Sequence, residues 1–233
     1  FLIRTNREAE NFRLVSAPVE SPGDWTDLIP HRVDTLLEDV DAFQDHFVTR
    51  ERRGGLVHLI VHPLGGGDSF PIEFDDPAYR VGLTGNAEFD TRRLRYSYSS
   101  LTTPASVLEL DLDTGEIARL KEERVGGGFD RTDYVSERVF ARASDGTSVP
   151  IYLVRRRDSV GTPGPLLLYG YGSYGSSQDA RFDPRILSLL DRGFTYAIAH
   201  VRGGQELGRF WYEQGKLRQK MNTFTDFIAC GEH

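Results

Sequence analysis

The hydrophobic period of this chain changes once, near residue 125, and that change calls for two different architectures. Before it, short β-rich runs at residues 1–3, 12–15, 47–49, 56–61, 94–99 and 107–112 are separated by turn signals. Those signals are Arg53-Gly54-Gly55, Gly65-Gly66-Gly67 and Asp113-Thr114-Gly115. Leu108, Leu110 and Leu112 alternate with Glu109 and Asp111, the pattern of a half-buried strand. After it, residues 139–143 and 149–154 flank Ser144-Asp145-Gly146-Thr147 as a hairpin. Residues 165–169 read as a strand buried on both faces. Asp183-Pro184 predicts a helix start, with Ile186, Leu187, Leu189 and Leu190 on it and Gly193 as its stop. Residues 194–201 form another buried strand. Asn222 or Thr223 is expected to cap a last helix that places Phe224, Phe227 and Ile228 on one face. Strand, helix, strand, helix predicts a parallel α/β sheet. Gly126-Gly127-Gly128 marks the boundary, dividing the chain into residues 1–125 and 126–233.

Within the first part a strand–turn–strand unit recurs at residues 3–15, 48–61 and 96–112. A spacing of about 45–50 residues suits propeller blades of four strands, two to three of which fit here. A sandwich is the alternative. The composition, 39% hydrophobic and 27% charged, is that of a globular protein. Apolar runs are far shorter than the ~20 residues of a membrane span. Phe1 opens in mid-pattern without an initiator Met, so the natural N-terminus is expected upstream. The lone Cys230 excludes an internal disulfide, sits in an apolar helical pattern as a structural thiol, and favours a reducing compartment. Residues 1–125 carry 23 acidic against 14 basic residues, a net of −9 within the chain's −7. That acidity argues against nucleic acid and would attract a cationic ligand; a solvated acidic surface is the plain alternative.

Gly170-Tyr171-Gly172-Ser173-Tyr174-Gly175 follows a strand and matches the G-x-G-x-x-G dinucleotide fingerprint. That fingerprint requires the glycines to lead straight into a helix, yet none is expected before Asp183-Pro184. The competing reading is an oxyanion loop, where glycines admit a substrate and a tyrosine hydroxyl donates to developing charge. A tight structural loop with packed tyrosines is equally open from the loop alone.

Four stretches resemble the prolyl oligopeptidase family of serine peptidases. Leu168-Tyr169-Gly170-Tyr171-Gly172-Ser173-Tyr174-Gly175 is similar to its Y-G-Y-G segment. His200-Val201-Arg202-Gly203-Gly204-Gln205-Glu206-Leu207-Gly208 resembles its R-G-G-x-E-x-G loop. Asn222-Thr223-Phe224-Thr225-Asp226-Phe227 resembles the helix before the nucleophile elbow. Tyr134-Val135-Ser136-Glu137-Arg138 with Asp145-Gly146 resembles the strand pair opening the hydrolase domain. Tyr96-Ser97-Tyr98-Ser99-Ser100 and Ser173-Tyr174 look like the oligopeptidase B branch. The likeness covers nearly the whole chain and is densest from Tyr134 onward.

The resemblance implies the C-terminal part of a β-propeller (residues 1–125) followed by the first part of an α/β-hydrolase domain (residues 126–233). It implies hydrolysis of short, basic peptides after Arg or Lys by Ser-His-Asp acyl transfer, with no cofactor and a cytoplasmic location. Tyr171 would be the side-chain donor of the oxyanion hole, and Tyr174 would line the substrate pocket. Arg202 and Glu206 are expected to order their loop, and Trp211 and Tyr212 to pack in the core. No G-x-S-x-G occurs, so the serine is expected just beyond His233, with aspartate and histidine later still. His31, His46, His58, His62, His200 and His233 offer no substitute base, and His58 and His62, four apart on a strand, are not expected to bind metal. The fragment alone is expected to be inactive, with open sheet edges that invite association. A prolyl-specific peptidase, a non-catalytic propeller binding module and an NADPH-binding oxidoreductase are the alternatives.

Overall fold

A computed structural model describes residues 1–233. Its first part is a row of antiparallel meanders, each a separate sheet. β1 (Leu2–Thr5), β2 (Arg13–Ser16) and β3 (Thr26–Ile29) form a three-stranded sheet. β4 (Thr35–Ala42), β5 (His46–Arg53), β6 (Leu56–Pro63) and β7 (Phe70–Pro71) form a four-stranded one in chain order. β8 (Tyr79–Leu83), β9 (Arg93–Ser100), β10 (Ser106–Asp111) and β11 (Ile117–Glu122) form another. The recurring unit seen in the sequence is the β1–β2, β5–β6 and β9–β10 hairpin of each sheet. Their registers run Ile3↔Val15, Val48↔Val61 and Leu108↔Tyr96.

Alternation decides which face of each sheet is buried. On β6, Val57, Leu59 and Val61 point inward. They join Val48, Tyr79, Val81, Leu94 and Tyr96 in one apolar cluster that glues the two four-stranded sheets together. Phe74 packs into the same cluster, with its ring stacked on Tyr98 at 5.1 Å. Burying side chains of this size contributes about 1.5–3 kcal/mol each.

The second part is built on β12 (Tyr134–Arg142) and β13 (Ser148–Arg156), a long hairpin about Asp145-Gly146. β14 (Leu166–Gly170) and β15 (Thr195–Ala199) complete a sheet of order β12-β13-β15-β14. Only β14 and β15 are parallel; β13 and β15 run antiparallel. The expected hairpin and the expected parallel strand pair both form, and they join in one mixed sheet through the antiparallel β13–β15 pairing. β14 is also an edge strand, with Leu166, Leu167 and Tyr169 exposed, rather than buried on both faces. Its one neighbour in the sheet is β15.

α1 (Pro184–Leu190) starts as the sequence predicts, with the Asp183 carboxylate accepting from Arg185 N. A short α2 (Arg209–Glu213) carries Trp211 into the core, where its indole donates to His200 O at 3.0 Å. Tyr212, expected in the core, is half-buried, held between the side chains of Arg209 and Lys216. α3 (Met221–Glu232) begins one residue before the expected caps and has no side-chain cap. Asn222 instead donates to Gln214 O, and Thr223 to Arg202 O. Phe224, Phe227 and Ile228 share one face, as expected, and it is the more exposed one. Thr223, Asp226 and Cys230 are buried, while Phe224 and Ile228 are exposed. Anchoring Thr223 and Asp226 to buried partners fixes this rotation. No helix is long and apolar enough to cross a membrane.

Candidate functional site

The glycine loop leaves the C-terminal end of β14 and is held by backbone contacts from two other segments. Gly172 has φ +62°, and a Cβ there would lie 2.5 Å from Thr223 Cγ2 and 2.6 Å from Val201 Cγ2. Gly203, with φ +104°, abuts the Gly172 carbonyl, and Gly215 abuts Arg202 and Gly203. Only glycine permits three backbones to approach this closely. The loop is then pinned: Gly175 N donates to Gly203 O at 2.9 Å. Lys220 Nζ donates to Gly172 O and to Ser173 Oγ. Burial pulls the Lys220 ammonium below the ordinary lysine range.

The two tyrosines of interest sit on the outside of this clamp. Tyr171 is 46% exposed. Tyr174 is 88% exposed, with φ +56°, in the left-handed region. Residues 171–183 separate β14 from α1, so the glycines do not open a helix. The geometry that a dinucleotide pyrophosphate needs is not formed.

Beneath the loop lies a buried ion network. Arg202 grips Asp226 through two nitrogens, Nε to Oδ2 at 2.9 Å and NH2 to Oδ1 at 2.6 Å. Its third nitrogen donates to Asp145 Oδ2 at 2.6 Å. That bond, with help from Thr147 N, holds the Asp145 carboxyl down to about 2. Glu206 accepts from Gln178 N, tying the second glycine-rich loop to the first. Both residues thus order their loops, as expected. His200 is buried against the Tyr152 ring at 4.0 Å, with Nδ1 3.7 Å from Glu206 Oε1. Burial pushes the Cys230 thiol up to about 12, the behaviour of a structural rather than a reactive sulfur.

Contacts between the blades and the second part were not visible in the sequence. Arg52 of β5, 4% exposed, donates to Glu38 Oε1 at 2.6 Å and to Asp179 Oδ1 at 2.7 Å. Burial opposes its charge, but Asp179 and Glu38 outweigh that and hold the guanidinium firmly protonated. Phe182 N donates to Ser99 Oγ, and Arg209 N to Asn11 Oδ1. Asn11 in turn donates to Arg32 O and Val33 O, linking two loops of the blades to α2.

This seam leaves two adjoining cavities of about 480 and 500 Å³. Arg80, Ser177 and Asp179 line both, and Tyr169 lines the second. Tyr171 and Tyr174 line neither. The carboxylates on their walls are already paired: Glu38 and Asp179 with Arg52, and Asp183 with Arg185. The acidity of residues 1–125 therefore does not appear as free carboxylates in these cavities.

Residues 1–123 match the family described as "Prolyl oligopeptidase, N-terminal beta-propeller domain", and residues 180–233 match "Prolyl oligopeptidase family". The chain is 47% identical to "Dipeptidyl aminopeptidase BI" of Pseudoxanthomonas mexicana, covering 100% of this chain and 33% of that protein. It is 38% identical to "Protease 2" of Moraxella lacunata, covering 100% and 34%. Among solved structures, oligopeptidase B from Trypanosoma brucei with covalently bound antipain superposes with a TM-score of 0.91 at 41% identity, covering 100% and 34%. The chain thus spans about a third of the length of the curated relatives it matches.

Proposed function

The chain belongs to the prolyl oligopeptidase family, and from that premise we propose that it supplies the oxyanion tyrosine of a serine oligopeptidase. In this reading residues 1–125 are propeller blades and residues 126–233 open the α/β-hydrolase domain. The sheets support the division: the last meander ends at Glu122 and the next sheet starts at Tyr134.

The observation that carries the proposal is the clamped loop with Tyr171 on its exposed side. In acyl transfer the scissile carbonyl oxygen gains negative charge as the serine adds. A phenol O–H held in place before reaction stabilises that charge without reorganising. Tyr171 is the donor; a backbone N–H beside the serine is its partner. Tyr174 is assigned to the substrate pocket. No Gly-x-Ser-x-Gly occurs in residues 1–233, so the nucleophile and its base are assigned to residues outside them.

The substrates are short peptides, cut after Arg or Lys. Greater identity to "Protease 2" and oligopeptidase B, 38% and 41%, than to the "Prolyl endopeptidase" of Elizabethkingia miricola, 27%, supports this choice. The single cysteine favours the cytoplasm.

The test uses the full-length protein and fluorogenic peptides ending in Arg or in Pro. Tyr171→Phe is expected to lower kcat by about 10²–10³ with little change in KM. An unchanged kcat removes Tyr171 from the oxyanion hole, and faster cleavage after Pro moves the protein to the prolyl branch. Turnover by residues 1–233 alone, blocked by a serine-reactive inhibitor, overturns the assignment of the nucleophile.

A further inference from the structure

The seam between the blades and the loop after β14 has a charge opposite to that of the chain. The two cavities described above adjoin a third, of about 500 Å³, which Arg80 and Arg181 also line. Six arginines and four carboxylates face these three spaces, a local positive excess in a chain of net charge −7. Three of the four carboxylates are paired with arginine, leaving Glu123 at the rim of the third cavity. Arg4 is tied down over the Phe12 ring at 4.0 Å and donates to Leu37 O. Arg50 pairs with Glu38, and Arg52 with Glu38 and Asp179. Arg80 and Arg181 are left with no ion pair and no side-chain hydrogen bond within the chain, each lining at least two of the cavities.

We propose that these cavities form a carboxylate-binding site, anchored by Arg80 of β8 and Arg181 of the loop after β14, that takes a carboxylate of a bound peptide. A guanidinium presents paired donors that match a carboxylate's two oxygens. Two guanidiniums on opposite sides of the seam grip an anion from both the blades and the second part. Walls already neutralised by internal pairs do not repel it. The proposal rests on the peptidase reading for the ligand being a peptide. It adds that the peptide is held by its anionic end or an acidic side chain, at a place distinct from Tyr171.

Calorimetric titration of the full-length protein tests this with N-acetyl-tetra-alanine, which offers no Arg or Lys to cleave after, as free acid and as amide. The acid is expected to bind about 10-fold or more tighter, the size of hydrogen bonds to a charged group. R80Q and R181Q should each weaken the acid about 10-fold, and the double variant should bind acid and amide alike. Both residues are exposed, and matching circular dichroism will confirm that the fold survives. R218Q, an exposed arginine away from these cavities, should change nothing. An N-acetyl peptide amide with one internal Asp separates the sources: binding like the acid assigns a side-chain carboxylate, and binding like the amide assigns the C-terminus. Equal binding of acid and amide by the wild type, a preference retained by the double variant, or an equal loss in R218Q overturns the site. Cleavage is not the readout. A chain that binds acids but never supports peptide cleavage sinks the peptidase reading alone; cleavage without acid preference sinks the carboxylate site alone.

Discussion

Gly172 holds the most constrained position in the loop. Its left-handed φ and the 2.5 Å approach to Thr223 leave no room for a methyl group. Gly172→Ala should destabilise the chain by about 1–3 kcal/mol through overpacking, with more from the strained backbone. Gly161 also has a left-handed φ, +80°, but nothing lies within 4 Å of it. Gly161→Ala should therefore show the backbone cost alone, about 1–2 kcal/mol. Denaturant midpoints of the two variants separate crowding from conformation. Asp145 offers a second residue-scale test. Its carboxyl titrates at about 2 in the fold against an ordinary 3.8. A depressed carboxyl stabilises the fold above the unfolded value and loses that contribution as pH falls toward about 2. Acid unfolding curves should record the loss between those limits, and Asp145→Asn, which removes the titrating carboxyl and leaves the Arg202–Asp226 pair, should flatten it.

At the scale of elements, strands that alternate cleanly were legible and charged ones were not. β5, β6, β9 and β10 carry the buried residues that show a period. β11, exposed along its length, and β4, where only Leu36 and Leu37 are buried apolar residues before Glu38, Asp39 and Asp41, show no alternation to read. α1 was legible because Asp183 and Pro184 act locally. The helix α3 was legible but its cap was not, because Thr223 and Asp226 answer to residues 21 and 24 positions away, and no local rule contains those partners. The same reason hid Lys220, whose hold on the glycine loop spans 48 positions. The Tyr171 loop itself was legible only as a motif shared with a family. Thr223→Val keeps the shape of the side chain but removes the hydroxyl that donates to Arg202 O. It is expected to cost about 1–3 kcal/mol for the orphaned carbonyl, read as a lowered thermal midpoint. If α3 were fixed by its apolar face instead, Thr223→Val would be neutral and Phe224→Ala would be the costly change.

Across the whole molecule, the two parts are joined by an apolar cluster in which Ala78 and Leu101 meet Tyr134 and Ile198, and by a few polar contacts, those of Asn11 and Arg52 among them. Arg52→Met leaves Asp179 and Glu38 facing each other's neighbourhood without a buried cation. Breaking a buried pair in this way typically costs about 3–5 kcal/mol. The unfolding transition should broaden or split as the blades and the second part lose their coupling; a single sharp transition at the wild-type midpoint would mean that the seam does not join them.

The burial of Arg52 also sets how the seam answers to ionic strength. Dissolved ions screen exposed charges within about 3 Å at 1 M salt, but reach a nearly solvent-free pair far less. Arg52, at 4% exposure, keeps its partners in concentrated salt, whereas Arg80 and Arg181 stand in the solvent that carries the ions. Added salt is therefore expected to expel a bound carboxylate while the seam around it stays shut, so that loading and opening can be driven apart by a single solution variable.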